Sequence, residues 1–349
     1  MTHDELQDKV RHGVPVTAVD CRGWDLTGLD LSGALLEQVN FTGARFAGAS
    51  LEDALLAHCI LNGCDLASAN LKDTNFANCH LHETSLAQAD LSGASFADSD
   101  LSKADLAGAH AACTSFVKCR LDGACLQVQG MDRSVFIECS LEGADFSNAG
   151  LSRVIFYELD LTATLFQGAC LQNVMFVECD LSGQRFAGQQ LGLCQFTDSQ
   201  LEGVDFGKAT LTQCNFKGAT LRNASFEAAD ATYTLFPEAD LTGANLRGGR
   251  FDGSIWVDAV LTGADFSNAR LAHSVLHRAR CTGARFCDAH VQDADFSYAD
   301  LTDTDFRNAH FLRTQFHRSE QHDARFSQRL GVIERDAELY DAQAWSGAP

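Results

Sequence analysis

Proline and long apolar runs are nearly absent from this chain. Three prolines in 349 residues argue against a proline-rich linker. No stretch of about 20 apolar residues occurs, so we expect neither a membrane-spanning helix nor a membrane partner. The first residues contain no basic region followed by an apolar segment, so the sequence predicts no secretory signal.

Basic residues are also scarce. The chain has 26 Lys and Arg against 47 Asp and Glu, a formal net charge of -21. Phosphate binding requires a surplus of Lys and Arg, so we expect no direct contact with nucleic acid. Fourteen cysteines without a secretion signal predict the reducing cytoplasm.

Common enzyme motifs are missing. The sequence has no Walker loop, no Gly-x-Gly-x-x-Gly, no His-Glu-x-x-His and no Gly-x-Ser-x-Gly. We therefore predict that the protein is not an enzyme and has no catalytic residues, cofactor or metal.

A period of five residues organises almost the whole chain. Every fifth position from Cys21 to Phe326 is a unit centre, which gives 62 consecutive units without an insertion. Nearly all centres are Leu or Phe, and all 24 Phe lie at centres. The residue two positions before a centre is small, as at Ala34 and Ala44.

A five-residue step fits neither an α-helix nor a flat strand, because the centres would move to all sides of the element. The chain must therefore turn inward once per unit. Most apolar residues that directly precede a centre share one position in a 20-residue frame, which predicts four units per coil. They are Leu35, Leu55, Val135, Ile155, Met175, Leu235, Ile255 and Val275.

The units Ala-Asp-Leu-Ser-Gly at 89–93 and Ala-Asp-Phe-Ser-Asn at 144–148 resemble the A(D/N)LXX units of pentapeptide-repeat proteins. The resemblance implies an all-β fold, a right-handed quadrilateral β-helix of about 15 coils with short helical caps. Coils about 4.8 Å apart would give a length of about 75 Å. Gly28, Gly33 and Asn148 stand two residues after a centre, where a tight corner favours positive φ.

We expect three segments: an N-terminal capping segment at 1–20, the β-helix at 21–328, and a C-terminal helical cap or dimerisation segment at 329–349. Thr2 to Glu5 form a capping-box pattern that predicts a helix to about His12. Ile333, Ala337, Tyr340 and Ala344 would share one face of a helix over 332–345.

Three groups of residues could carry metal, redox or pH-dependent chemistry. Five cysteines recur in one column, and we interpret them as small core residues, with metal or redox use as the alternative. They are Cys59, Cys79, Cys119, Cys139 and Cys179. His80 and His82 flank Leu81 and could bridge a divalent ion, while the column of His290 and His310 could respond to mild acid.

The strongest candidate site is an apolar patch bordered by an acidic column. A contiguous exposed apolar patch usually marks an interaction site, and stacked like charges do not favour folding. The alternative is local β-propensity with a solubilising border. The apolar members are Val117, Val135, Ile137, Ile155, Tyr157, Met175 and Val177, and the acidic members are Glu138, Glu158, Glu178 and Asp198.

The sequence therefore favours a cytoplasmic protein-interaction scaffold or adaptor, with a homodimer through the C-terminal segment as a further option. Met1 to Leu6 and Gly23 to Gly33 resemble pentapeptide proteins associated with bacterial type VI secretion, which implies an adaptor or effector-loading role.

The alternative function is a DNA mimic. The resemblance extends to acidic pentapeptide proteins that occupy the DNA-binding saddle of gyrase, either inhibiting it or protecting it from quinolones. Residues 1–270 have a net charge of -18. Spread over about 60 Å this is about 0.3 charges per Å, about half the density of B-DNA. This chain also lacks the loops that often interrupt gyrase protectors.

Overall fold

The computed structural model describes residues 1–346, which belong to two compact units, Met1–Asp180 and Leu181–Pro349. Each unit is a parallel β-solenoid in which a residue pairs with the residue 20 positions later. Leu36 pairs with Leu56 in the first unit, and Asp205 pairs with Ser225 in the second. This register confirms that four pentapeptides make one coil.

The first unit begins with helix α1 at His3–Arg11 and continues with short strands separated by corners. Nine of the strands form one sheet in the order β1-β2-β3-β4-β5-β6-β8-β10-β12, and β11-β9-β7 form another. The strands are β1 Val16–Thr17, β2 Leu35–Glu37, β3 Leu55–Ala57, β4 Asn75–Ala77, β5 Ser95–Ala97, β6 Ser115–Val117, β7 Met131–Asp132, β8 Val135–Ile137, β9 Gly150–Ser152, β10 Ile155–Tyr157, β11 Cys170–Gln172 and β12 Met175–Val177.

The second unit is held mainly by single-residue parallel bridges with the same 20-residue spacing. Its longer elements lie near the C-terminus, where β13 pairs with β15 and β14 pairs with β16. They are β13 Asp305–Phe306, β14 Thr314–Gln315, β15 Arg325–Phe326, β16 Val332–Ile333 and helix α2 Ala337–Ser346.

Helix α1 has the predicted capping box. The Glu5 amide donates to the Thr2 hydroxyl at 3.3 Å, and the Thr2 amide donates to the Glu5 carboxylate at 2.8 Å. These bonds satisfy amides at the helix start that have no partner within the helix. Leu6 and Val10 are buried, so the helix contributes one apolar face to the core.

Nearly every corner has a residue with positive φ two positions after the centre. Gly28 has φ 65°, but Asp53 and Tyr233 adopt φ 58° and 59° at equivalent places. The left-handed conformation costs a non-glycine residue roughly 1–2 kcal/mol. A bond to the next coil offsets this cost, since the Asp53 amide donates to the Lys72 carbonyl at 3.0 Å. The predicted corner position is confirmed, and it accepts many residue types.

The core consists of inward-facing centres that stack along the coils. Phe136 and Phe156 are buried and stack with centroids 5.1 Å apart, while Phe136 meets Phe146 edge to face at 5.6 Å. In the second unit, Phe196 and Phe216 stack at 4.8 Å. Aromatic pairs favour both arrangements. Phe therefore faces Phe across the interior.

The frequent Asp before the centre stabilises the turn that follows it. Asp160 accepts hydrogen bonds from the Thr162 hydroxyl at 2.6 Å and the Thr162 amide at 3.0 Å. These bonds, the hydroxyl first, hold the pKa of Asp160 below its usual value. The repeat accepts Asp or Asn here because both supply the required acceptor oxygen.

Two places depart from the regular coil. Gln129 occupies the position at which other units have a small inward-pointing residue. Gln129 is nevertheless exposed, and Val128 is buried in its place. A buried amide without partners would be costly, so Val128 fills the space instead.

Near the C-terminus, Thr314 pairs with Val332, which shortens that coil to 18 residues.

The prediction of a helix over 332–345 was wrong at its start. Val332 and Ile333 form β16 by pairing with β14, so Ile333 belongs to a strand, and α2 begins only at Ala337. Trp345 on α2 is 91 % exposed. The predicted C-terminal segment extends to residue 349, and residues 347–349 lie outside the described residues. The three-segment division stays a prediction.

Replacing Asp160 tests the turn. Asp160→Ala should lower the free energy of unfolding by about 1 kcal/mol because the Thr162 amide loses its acceptor. Asp160→Asn should retain most of the stability, since the side-chain oxygen remains. Urea unfolding followed by circular dichroism measures both, and equal losses in the two variants would contradict this role.

Acid should destabilise the coils. The pKa of Asp25 is lowered to about 2 by Thr27 and Arg45, and that of Asp305 to about 2 by Arg307. A lowered carboxyl pKa stabilises the fold fully above the ordinary value of 3.8, and this stabilisation is lost as the pH falls through about 2. Urea titrations across this range should show a falling free energy of unfolding, with a smaller fall in Asp25→Asn. A flat profile would refute the prediction.

Candidate protein-docking surface

The apolar patch lies on one face of the first unit, on strands β6, β8, β10 and β12. Ile155 pairs with Val135 on one side and Met175 on the other, so these three side chains form one column. Tyr157 lies between Ile137 and Val177 in the same way, and Val117 extends this second column. The structure therefore brings all seven predicted apolar residues together.

These side chains are more covered than the sequence predicts. Met175 is 37 % exposed, and the other six are half-buried. Each lies about 4.8 Å from its counterparts on adjacent coils, so side chains in one column cover each other. The result is a continuous, shallow apolar surface with two ridges.

Three of the four predicted acidic residues border this surface. Glu138, Glu158 and Glu178, which we call the glutamate column, occupy corner positions with φ 51°, 52° and 54°, and all three are exposed. Lys118 occupies the preceding place in the column, and its Nζ is 3.8 Å from Glu138. Within residues 1–346, no ion pair joins Glu158 or Glu178 to a cationic side chain.

The fourth predicted acidic residue, Asp198, belongs to the second unit. It occupies a corner there with φ 55°, is exposed, and its amide donates to the Lys217 carbonyl at 2.9 Å. The structure thus places the glutamate column and Asp198 in different compact units.

An arginine pair, which the sequence did not predict, borders the opposite side of the patch. Arg153 donates to Asp132 at 2.8 and 2.6 Å, and Arg133 donates to the same carboxylate at 3.1 Å. Asp132 and Arg153 are 21 residues apart, so the 20-residue frame could have revealed the pairing. The patch therefore has an acidic border and a partly neutralised basic border.

The glutamate column alters the chemistry of Tyr157. A hydrogen bond with the Glu158 carboxylate, together with the negative charges of Glu158, Glu178 and Glu138, raises the pKa of Tyr157 to about 12. Ionising the phenol would add another negative charge to this border. Tyr157 therefore stays neutral and contributes a polar tip to the apolar surface.

The cysteine column lies in the core, as interpreted from the sequence. Cys79 and Cys119 are buried, and their thiols donate weakly to the carbonyls of Leu56 and Phe96, both at 3.3 Å. Burial raises the pKa of Cys179 to about 11. This raised pKa leaves little Cys179 thiolate at neutral pH, and thiolate is the reactive form. All 14 cysteines are free thiols.

The candidate histidines have other neighbours. His82 Nδ1 is 2.8 Å from the Ser102 hydroxyl, and its Nε2 is 3.4 Å from Glu83. The His290 and His310 rings stack with centroids 4.5 Å apart. Among residues 1–346, no group of three His, Cys, Asp or Glu side chains is placed to hold a metal ion. None of the helices described here has the length and apolar character needed to cross a bilayer.

Two sequence-family models match most of the chain. The pentapeptide repeat region matches residues 49–126, 129–206, 170–246 and 249–326. The model of pentapeptide repeats in eight copies matches residues 20–56. The chain belongs to the pentapeptide-repeat family. No curated protein matches it at a significant level.

Solved pentapeptide-repeat structures are similar to parts or all of the chain. HetL, involved in heterocyst differentiation regulation in Nostoc sp. strain PCC 7120, is 23 % identical, with 81 % of this chain and 96 % of HetL covered and a TM-score of 0.15. An Arabidopsis thaliana thylakoid-lumen protein is 32 % identical over 34 % of this chain and 69 % of its own, with a TM-score of 0.15.

QnrB1, a plasmid-mediated fluoroquinolone resistance protein, is 14 % identical, with 96 % of this chain and 100 % of QnrB1 covered and a TM-score of 0.17. The family membership rests on the sequence models, and nothing about the partners of this chain follows from these likenesses.

The raised pKa of Tyr157 can be tested directly. The absorbance change at 295 nm that is lost in Tyr157→Phe should titrate near pH 12 in stopped-flow pH jumps. Glu158→Gln should move it towards the ordinary value of 10 more than Glu178→Gln, because Glu158 both bonds to the phenol and repels its charge. Glu142→Gln is the control and should change nothing, whereas titration of Tyr157 at pH 10 in the unmodified chain would contradict the described geometry.

Proposed function

We propose that this protein is a non-enzymatic interaction scaffold or adaptor whose apolar patch and glutamate column form its protein-docking surface. The proposal rests on one observation, that the apolar patch lies directly beside the glutamate column. Seven apolar side chains form two adjacent columns on four coils, and three glutamates stack beside them.

Folding alone gives a poor account of this arrangement. Like charges on adjacent strands repel, and the two coils next to the patch in the same sheet have small or polar residues at equivalent places, as at Asn75, Ala77 and Ser95. Leu35 and Leu55 are apolar at the same place on earlier coils, but no acidic column occupies the corners that follow them. A regular solenoid therefore does not need the patch. Contiguous apolar surface of this kind is typical of protein interfaces.

The finer assignments stay predictions. They are the type VI secretion role and the homodimer through the C-terminal segment. The DNA-mimic alternative rests on the resemblance and on net charge, whereas the docking surface rests on the contacts between named residues.

Replacing two residues of the patch tests the proposal. Ile155→Ser with Tyr157→Lys should remove partners that co-purify with the tagged chain, because it breaks both apolar columns at their middle coil. Asn75→Ser with Ala77→Lys, at equivalent positions of the same sheet, is the matched control and should retain them. Quantitative mass spectrometry gives the readout, and the same partners at the same levels in all three proteins would overturn the proposal.

A further inference from the structure

We infer that the docking surface takes a basic amphipathic α-helix that lies along the columns, crossing the coils one after another. This inference rests on the proposed function and adds the chemical class of the partner. Its basis is the shape of the apolar patch and the unbalanced charge of the glutamate column.

The patch has the width of a helix. Its two apolar columns are separated by two residues of a strand, or about 7 Å, with the buried Phe136 and Phe156 between them. Two such ridges leave a shallow trough between them, into which the apolar stripe of a helix about 10 Å wide can pack.

The spacing along the columns also fits a helix. Glu138 and Glu178 are two coils apart, a distance of about 10 Å. Residues i and i+7 of a helix are separated by a rise of about 10.5 Å, and residue i+3 or i+4 lies between them. Three basic side chains on successive turns can therefore each meet one glutamate.

The charged side chains beside the patch determine which kind of helix is complementary to it. Glu158 and Glu178 are exposed, and no cationic side chain pairs with them within the described part of the chain. Lys118 pairs with Glu138 and closes one end of the column at 3.8 Å. The complementary helix thus has Lys or Arg opposite Glu158 and Glu178, and a neutral or acidic residue opposite Lys118.

A second copy of this chain fits less well. The patch extends over four coils, or about 14 Å along the columns, and it is one helix wide. A stable dimer interface buries about 800 Å² on each partner, several times more than such a patch offers. A helix of roughly ten residues covers the same length.

Two synthetic helical peptides test the inference on the full-length protein. Both have leucines along one stripe. One has lysines at i, i+4 and i+7 on a single flank, and the other has glutamates at those positions. Fluorescence anisotropy at low salt should show the lysine peptide binding at least about tenfold more tightly, since each exposed ion pair contributes modestly. Hydrogen exchange should show protection within residues 115–178.

Variants of the protein identify the source of the preference. Glu138→Gln, Glu158→Gln and Glu178→Gln together should reduce the ratio of the two affinities to about one. Glu37→Gln, Glu52→Gln and Glu142→Gln together remove the same charge elsewhere in the first unit and should leave the ratio unchanged. Circular dichroism confirms that both triple variants are folded.

Three results would overturn the inference. They are equal affinity for the two peptides, an unchanged ratio in the glutamate-column variant, and concentration-dependent dimers in sedimentation that Ile155→Ser with Tyr157→Lys abolishes. The last result would assign the patch to a second copy. If co-purified partners still depend on Ile155 and Tyr157 while the peptides do not discriminate, the docking surface stands and only the helical basic partner fails.

Discussion

In both units, parallel hydrogen bonding between residues about 20 positions apart determines where most side chains lie. The Leu61 amide donates to the His80 carbonyl at 2.6 Å, and the His80 amide donates back to the Cys59 carbonyl at 2.9 Å. Similar pairs recur on coil after coil. A side chain therefore has its closest neighbours 20 residues away, and each column of the sequence becomes a column on the surface or in the core.

The residues that stabilise the core and the residues that form the surface occupy different positions of each repeat unit. Inward positions hold Leu, Phe and small residues, and each buried large side chain contributes roughly 1.5–3 kcal/mol. Outward positions beside the centres have little effect on the core, so they are free to vary. The apolar patch occupies such positions on four coils, and the glutamate column occupies the corners beside them, so neither belongs to the core.

The stacking of coils also brings surface side chains close enough to change each other's pKa values. The hydrogen bond from Tyr157 to Glu158 raises the pKa of Tyr157 to about 12, and the charges of Glu158, Glu178 and Glu138 add to this effect. The regular spacing also gives the surface a repeat close to that of a helical turn. A partner can therefore match several coils at once through a simple pattern of its own.

The resemblance to pentapeptide repeats implied the right-handed all-β form. The five-residue period by itself determined that the chain turns inward once per unit, so that Phe136, Phe146 and Phe156 are buried together. It also determined the columns, including those of Ile155 and Tyr157, since a fixed register turns sequence spacing into neighbours. The tertiary structure alone showed the displacement of Gln129 by Val128 and the strand at Ile333. These depend on local space and on contacts between coils, which the repeat pattern does not encode.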